Sequence, residues 1–450
     1  MLVYKSVLEN SGGGSGGLTV DSLQITSPAT NTEFQISENF DTNGLVVTAT
    51  IGHVVADVTI DCTFTPSIGT TFVDNDIGYQ NVNIQYGGKT TSYQIRIKDR
   101  QAKIYGVQWN DTTSSRLART DSASLLSDPI PAVNNGNGSS PFDTIYPWSE
   151  IKVIEDPDVG TLVSIPKYYY KWTNENEILS LQISEGEFEG SHVSPAHADR
   201  GDGVGERDVV YIGRYHCASS TYKSSTGVKP YTNISRSSFR EAIHNLGTDI
   251  WQNDYAMRWT VNMLYLVEYA NWDIQSTIGM TGIAIGNTVN MGYTDSMVYH
   301  TGTSAVDRNT GGGMQYRHIE GWCDNCLDWC DGIYSSNYNI YIIMNPSRFS
   351  DSSNGVYVGK LDGDYGSYGY IKTWTIPSSA SYEWALIPIG NRSGSQVTPI
   401  SDFMDSGFSN LTVGGYYYED RRYGAFRMEF TRSYTYGGHI GSRLMKLPNN

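Results

Sequence analysis

Residues 254–271 read DYAMRWTVNMLYLVEYAN, and this stretch decides the fold of the C-terminal part of the chain. Met257, Val261 and Leu264 recur at helical spacing, and Asp254 stands where the N-cap of a helix is expected. The stretch therefore predicts a helix.

A shorter helix is predicted just upstream of this one. Ser238 and Glu241 have the spacing of a capping box, Phe239 and Ile243 give a helical stripe, and Gly247 is placed to end the helix. The sequence that follows the two helices is irregular and rich in Gly and Trp. It predicts strands joined by long loops.

The N-terminal part of the chain is organised differently. Residues 1–17 form an attachment piece that ends in the flexible tether GGGSGG. Short alternating runs fill residues 18–98, and the last two flank the Gly87-Gly88 turn, which predicts a hairpin with one buried face. We therefore expect an attachment piece (1–17), a small β-sandwich (18–98) and one large domain (99–450).

The small sandwich resembles the bacterial immunoglobulin-like domains of adhesins and phage structural proteins. The stretches GLVVTATI (44–51) and VNIQYGGKTTSYQIRI (82–97) carry this resemblance. It implies a spacer domain with that fold.

The large domain resembles the C-type-lectin-like fold, in the branch that contains the formylglycine-generating enzymes. The segments YIGRYHCAS (211–219), NMLYLVEYANWDIQSTIG (262–279) and IEGWCDNCLDWCDGI (319–333) carry this resemblance. The ending GGYYYEDRRYGAFRMEFTRSYTYGGHIGSRL (414–444) is similar to the variable region of proteins that diversity-generating retroelements target in many gut bacteriophages. The resulting fold class is mostly β with an α+β domain, an immunoglobulin-like sandwich followed by a C-type-lectin-like fold.

Two further segments are similar to phage tail and receptor-binding proteins. They are YGVQWNDTTSSRLARTD (105–121) and IPKYYYKW (165–172). The triplet Trp109-Asn110-Asp111 in the first occurs in calcium-dependent lectins, but the Glu-Pro-Asn or Gln-Pro-Asp loop that accompanies it there is missing from this sequence. The sequence therefore gives no support to calcium-dependent sugar binding.

Composition favours a recognition protein. The net charge is −16 and no Lys/Arg block occurs, which disfavours binding to nucleic acid. The 33 Tyr and 47 Gly residues suit a loop-rich surface that binds through rigid aromatic side chains. No signal-peptide pattern and no membrane-length apolar segment is found, so we expect synthesis in the cytoplasm without membrane insertion.

The C-terminal segment is predicted to hold the recognition surface. Strand parity places Phe426, Met428 and Phe430 in the core and their neighbours Arg427, Glu429 and Thr431 on the exposed face. The predicted ligand-binding residues are Tyr416, Tyr417, Tyr418, Asp420, Arg422, Tyr423, Arg427, Glu429, Arg432, Tyr434, Tyr436 and His439. The predicted periphery of this surface is Asp364, Tyr365, Tyr368 and Tyr370. The alternative is that these tyrosines only cover the solvent-facing surface of a β-sheet and bind no ligand.

The resemblance to retroelement-diversified proteins implies that the exposed positions vary while the core positions stay constant. Adenine-directed changes in an Asn codon give Tyr, Ser, Asp, Gly, Arg, Thr and His, and the exposed residues fall within that set except Glu429. Glu429 is therefore expected to be fixed or to derive from a different template.

The cysteine pattern leaves a metal site as a weaker alternative. His318, Cys323, Cys326 and Cys330 offer four zinc ligands, but their compact spacing lacks the two separated pairs of structural zinc sites. We expect buried free thiols there, with no metal and no cofactor.

Catalysis is the main competing class. Oxidases of the formylglycine-generating branch use a cysteine pair near the end of the domain, whereas this sequence has no cysteine after Cys330. The sequence therefore predicts a non-enzyme. The resemblances to phage proteins imply a phage receptor-binding or tail adhesin on the virion that contacts a host-surface protein or glycan. Other tail proteins would bind the N-terminus, and analogy with tail-tip proteins suggests a homotrimer. The alternatives are a bacterial surface adhesin of the same fold and an oxidase of that branch.

Overall fold

A computed structural model describes most of the chain in two compact units, Met1–Ala102 and Lys103–Asn450. The described residues are 19–36, 38–98, 103–110, 114–279, 287–304, 313–361, 369–379, 381–392, 403–405, 410–415, 424–431 and 437–449. The predicted attachment piece, residues 1–17, lies outside them. Within these ranges no helix is both long and apolar enough to cross a membrane.

The first unit is built from two sheets. Its strands are β1 (Ser22–Ser27), β2 (Glu33–Gln35), β3 (Val46–Ile51), β4 (Val54–Asp57), β5 (Thr63–Thr65), β6 (Gly78–Tyr86) and β7 (Lys89–Lys98). One sheet has the order β1-β3-β4 and the other β2-β7-β6-β5. Apolar side chains of both sheets form one buried cluster, which includes Val47 and Ile84.

The hairpin predicted around Gly87-Gly88 is confirmed. Strands β6 and β7 pair antiparallel, with Tyr86 opposite Lys89. Val82, Ile84, Ile95 and Ile97 are buried, and the residues between them are more exposed. Period-two alternation thus identified the buried face correctly.

The second unit contains many short strands and a few helices. The helices are α1 (Arg236–His244), α2 (Tyr255–Tyr269) and α3 (Ile274–Ile278). The strands are β8 (Tyr105–Trp109), β9 (Ala118–Asp121), β10 (Lys152–Asp156), β11 (Gly160–Pro166), β12 (Tyr169–Glu175), β13 (Ile178–Ser184), β14 (His192–Val193), β15 (Val209–Gly213), β16 (Ile250–Gln252), β17 (Gly302–Thr303), β18 (Met314–Tyr316), β19 (Ile319–Glu320), β20 (Leu327–Ser336), β21 (Asn339–Ile342), β22 (Val356–Lys360), β23 (Gly369–Thr375), β24 (Ile387–Arg392), β25 (Phe403–Asp405), β26 (Asn410–Val413), β27 (Met428–Thr431), β28 (Ile440–Gly441) and β29 (Leu444–Lys446). The chain is therefore mostly β, as the sequence predicts.

These strands form four sheets over the described ranges. Two sheets have five strands, in the orders β10-β11-β15-β29-β16 and β14-β12-β13-β8-β9. A small sheet has the order β17-β18-β19. The largest has the order β22-β21-β20-β26-β27-β25-β23-β24, with β28 added beside β20. This last sheet carries the segment predicted to bind a ligand.

Helix α2 lies at the centre of the second unit. The predicted N-cap is confirmed, since Asp254 Oδ1 accepts a hydrogen bond from the backbone N–H of Met257 at 2.8 Å. Every residue of α2 is buried, so the helix is enclosed on all sides rather than amphipathic. Its Trp259 contacts Trp374 and Phe426, with ring centroids 5.6 and 6.0 Å away.

Helix α1 begins three residues before the predicted capping box. Its N-cap is Ser235, whose hydroxyl accepts from the backbone N–H of Ser238 at 3.1 Å. The prediction chose Ser238 because Glu241 stands at the capping-box spacing from it, but Arg236 already belongs to the helix and is buried. Phe239 and Ile243 face the core as expected.

His197 gives the second unit a predicted pH dependence. Its ring is buried, Nε2 donates to the Ile165 carbonyl at 2.9 Å, and Nδ1 accepts from the Ser194 hydroxyl at 2.6 Å. Burial lowers the pKa of His197 from 6.5 to about 4. Because the unfolded chain takes up this proton below pH 6.5 and the folded chain does not, the free energy of unfolding falls as the pH is lowered through this window.

We expect the His197 contribution to fall by about 3 kcal/mol between pH 7 and pH 4. The measurement is urea unfolding of the wild type and of His197→Gln at both pH values. All 10 Trp residues lie after residue 103, so their fluorescence reports the second unit alone. Equal pH dependence of the two proteins would contradict the assignment.

Candidate recognition site

Most of the predicted ligand-binding residues lie outside the described ranges. These are Tyr416, Tyr417, Tyr418, Asp420, Arg422, Tyr423, Arg432, Tyr434 and Tyr436, together with the peripheral Asp364, Tyr365 and Tyr368. Tyr370 belongs to β23, whose backbone pairs with β24 and β25. Arg427, Glu429 and His439 are described in full. The strands that flank the predicted binding segments are described as well.

The flanking strands are β26 and β27, which pair antiparallel in the middle of the largest sheet. Val413 pairs with Met428 at one end, and Asn410 pairs with Thr431 at the other. Residues 416–423 therefore follow the Val413 end of this strand pair, whereas residues 432–436 follow its Thr431 end. Since a strand rises about 3.3 Å per residue, the two ends are separated by roughly 10 Å.

The turn that follows residues 416–423 is held by helix α2. The Ala425 carbonyl accepts three hydrogen bonds, from Arg258 Nη2 at 2.9 Å, Arg258 Nε at 3.3 Å and Asn262 Nδ2 at 3.1 Å. The Trp322 indole N–H donates to Asn262 Oδ1 at 2.9 Å, and the Arg258 guanidinium lies 3.7 Å from the centre of the Trp322 ring. Residues from two separate sequence segments thus fix a carbonyl group of a third.

The predicted core face of the C-terminal segment is confirmed. Phe426, Met428 and Phe430 are buried in the main hydrophobic cluster of the second unit. The Phe426 ring packs edge-on against Trp272, with the ring centroids 4.8 Å apart. The predicted recognition segments therefore adjoin a well-packed base.

The predicted exposure of Arg427 is wrong. Arg427 is only 2% exposed, its guanidinium is paired with the Glu429 carboxylate, and its Nη1 lies 3.4 Å from Thr412 Oγ1. Parity fails here because the backbone N–H of Arg427 donates to the Gly424 carbonyl at 3.3 Å, which makes residues 424–427 a turn rather than a strand. Alternation begins only at Met428.

Glu429 and His439 are both partly exposed. The Glu429 side chain is 25% exposed and takes part in the Arg427 ion pair. The His439 carbonyl accepts from the backbone N–H of Leu327 at 2.8 Å, which ties the end of the C-terminal segment to β20. The buried Arg427 guanidinium therefore balances the charge of the Glu429 carboxylate.

The four residues of the weaker zinc alternative do not converge in the part of the chain that the structure describes. Cys323, Cys326 and Cys330 are buried free thiols, as expected, but His318 and these thiols form no metal-ligand group within the residues described. The backbone N–H of His318 donates to the His300 carbonyl at 2.8 Å, and burial lowers the pKa of the His318 ring to about 3. The short spacing of His318 and the three cysteines in the sequence therefore does not bring their ligand atoms together.

A different group of potential ligands is buried instead, formed by His216, Cys326 and Asp328. Their ligand atoms all lie within 4.8 Å of one another. Arg443 enters the same group, with Nη2 3.4 Å from His216 Nε2 and Nε 3.7 Å from Asp328 Oδ2. Burial and the two neighbouring guanidinium groups, Arg443 and Arg258, lower the pKa of His216, while burial raises the pKa of Cys326.

This arrangement is more consistent with a structural charge cluster than with a metal centre. Arg443 supplies the positive charge that balances Asp328, and a dication at the same place would meet its repulsion. Asp328 and Arg443 both lie inside segments that carry the family resemblances, but nothing local in the sequence indicated that they meet. A buried thiol of this kind is also a poor nucleophile.

No family model matches the chain, and no curated protein is significantly similar to it.

Proposed function

We propose that this protein is a phage receptor-binding or tail adhesin that attaches the virion to a host-surface protein or glycan. The first unit would be an immunoglobulin-like spacer, and the second a C-type-lectin-like domain. Binding would use the Tyr-rich segments 416–423 and 432–436. Other tail proteins would hold the N-terminus, and a homotrimeric assembly would present several copies of the site.

The observation that carries the proposal is a well-packed base from which the Tyr-rich segments continue along the chain. Phe426, Met428 and Phe430 are buried, and the Ala425 carbonyl is fixed by Arg258 and Asn262. Tyr and Arg make up most of the adjoining segments 416–423 and 432–436, and both residue types are enriched where binding loops contact their targets. A rigid scaffold that tolerates change in adjoining segments is what a diversified binding site needs.

Recognition in this proposal depends on aromatic contact area. Tyrosine side chains bury large surfaces at a small cost in conformational entropy, while Arg422, Arg432 and Asp420 orient the ligand through charge-assisted hydrogen bonds. Each site would bind weakly, and several copies on one virion would add avidity. The proposal assigns no catalytic step to the chain.

Competition for host cells tests this function. Purified protein added before the phage should occupy the receptor and lower the rate of phage adsorption in a dose-dependent way. A matched variant, with residues 416–423 and 432–436 replaced by Gly and Ser residues of equal number, should not compete. If both proteins compete equally, or if neither does, binding through these segments is wrong.

Mass spectrometry of purified virions separates the phage protein from a bacterial surface adhesin. The chain should be present in the virion in a fixed ratio to the other tail proteins. Its recovery only from the bacterial envelope would favour the adhesin of the bacterium.

A further inference from the structure

Strand β4 is an edge of the first unit that exposes apolar side chains. It ends the sheet β1-β3-β4 in the part of the chain that the structure describes. Val54 and Val55 face opposite sides of the strand and are 56% and 65% exposed. Edge strands often carry a lysine, a proline or a bulge that prevents pairing, whereas β4 contains neither residue and pairs regularly with β3. This edge can therefore accept a further strand.

The backbone of β4 is also oriented for pairing. The Val58 N–H donates to the Val47 carbonyl at 2.9 Å, so it points towards β3. Alternate residues of an antiparallel strand turn their N–H and C=O groups to opposite sides, so those of Val55 and Asp57 point to the open edge. An extended segment beside β4 would pair with these two donors and two acceptors.

The N-terminal residues are attached to the first unit close to this edge. Residue 19 is the first one that the structure describes, and the Asp21 carboxylate accepts from the backbone N–H of Gly52 at 2.6 Å. Gly52 belongs to the turn between β3 and β4, two residues before Val54. The chain upstream of residue 19 therefore starts from the end of the sheet at which β4 begins.

The tether has the length that such a pairing needs. A strand placed beside β4 lies three strand spacings from β1, about 14 Å. Residues 9–18 are rich in Gly and Ser, and a chain of this length and composition has a root-mean-square end-to-end distance of about 17 Å. A tether that matches its span gives an effective concentration on the order of millimolar. Pairing within one chain is therefore favoured over pairing with a second copy in dilute solution.

The sequence of residues 2–8, LVYKSVL, complements β4 in one register. Because the segment runs towards the tether, it would lie antiparallel to β4. One antiparallel register gives only apolar, small or oppositely charged pairs, which are Leu8 with Val54, Val7 with Val55, Ser6 with Ala56 and Lys5 with Asp57. Apolar and oppositely charged cross-strand pairs stabilise sheets. A shift by one residue would place Lys5 opposite an apolar side chain instead.

We propose that residues 2–8 pair antiparallel with β4 of their own chain and complete its sheet as a fourth strand. Leu8 then covers Val54, whose neighbour Ile51 on β3 packs against the core, and Lys5 balances the exposed Asp57 carboxylate. Other tail proteins would contact the first unit with this edge covered. The inference goes beyond the proposed function and does not rest on it, because it concerns contacts within the first unit alone.

A cross-link tests the pairing and its register in the full chain. Leu8→Cys with Val54→Cys, in a Cys62→Ser background, should form a disulfide within one chain on mild oxidation. This pair lies at a position without mutual backbone hydrogen bonds, where opposite side chains approach most closely. The matched control, Leu8→Cys with Val55→Cys, places the thiols on opposite faces and should cross-link at least about tenfold more slowly. The remaining native cysteines are buried.

Non-reducing electrophoresis and intact mass identify the product of each variant. Equal cross-linking of the two variants, or cross-linking of neither, would overturn the proposal. A disulfide that joins two chains, seen as a doubled mass, would assign the edge to a second copy and would overturn pairing within one chain.

Hydrogen exchange followed by mass spectrometry tests the same contact without new cysteines. The peptide that contains β4 should exchange at least about tenfold faster when residues 2–8 are replaced by Gly and Ser residues of equal number. Lys5→Glu should also speed exchange, because it places a like charge opposite Asp57, whereas the matched control Lys5→Arg should leave exchange unchanged. Unchanged exchange in the replacement variant would overturn the proposal. Neither readout depends on adsorption to host cells, so the proposed function stands or fails separately.

Discussion

Replacing Tyr416, Tyr418, Tyr434 and Tyr436 together by Ala is expected to lower binding to host cells at least about a hundredfold. Central aromatic side chains dominate the energy of most recognition surfaces, and each of these four is predicted to contribute such area. The thermal midpoint of the second unit should stay nearly unchanged, because the buried face of the segment is formed by Phe426 and its neighbours. Adsorption assays and thermal unfolding of the same preparations measure the two quantities.

A matched control uses exposed tyrosines elsewhere on the chain. Tyr79, Tyr338 and Tyr357 are 69%, 40% and 53% exposed, and none belongs to the predicted ligand-binding set. Their replacement by Ala should leave adsorption within about twofold of the wild type, since most surface substitutions outside an interface have small effects. A large loss of stability in the four-tyrosine variant, with adsorption falling in proportion, would instead favour tyrosines that only cover the β surface.

The largest loss of stability is expected from Glu268→Ala, at about 3–5 kcal/mol. Glu268 is fully buried on α2, and its two oxygens accept from Arg317 Nη2 at 2.7 Å and from Arg317 Nε at 2.8 Å. The hydroxyls of Ser140 and Tyr316 complete the carboxylate, at 2.9 and 3.0 Å. Removing the carboxylate leaves a buried guanidinium without its main counter-charge, and this desolvated charge is the source of the loss.

Urea unfolding followed by Trp fluorescence measures this effect in the second unit. Glu241→Ala, at an exposed position of α1, should change the free energy of unfolding by less than about 0.5 kcal/mol. The double variant Glu268→Met, Arg317→Met should cost less than the sum of its single changes, because it leaves no unpaired charge. A loss below about 1 kcal/mol in Glu268→Ala would mean that Asp143, 3.1 Å from Arg317, is sufficient as a counter-ion.

The features that the sequence predicted correctly are local. The N-cap at Asp254, the β6–β7 hairpin and the buried Phe426, Met428 and Phe430 each depend on residues close together in the chain. The prediction for Arg427 failed because residues 424–427 form a turn, closed by the hydrogen bond from the Arg427 N–H to the Gly424 carbonyl. The alternation of apolar and polar side chains along the sequence does not reveal this backbone hydrogen bond.

The sequence by itself determined where helices and hairpins begin and which side of a regular strand is buried, since periodicity is encoded in consecutive residues. Tertiary structure alone decided that Asn262, Trp322 and Ala425 meet, although Asn262 and Ala425 are 163 positions apart in the sequence. It also decided that His216, rather than His318, lies beside Cys326. Such meetings depend on the order and register of strands in the sheets, which are set by packing across the whole domain and leave no local pattern in the sequence.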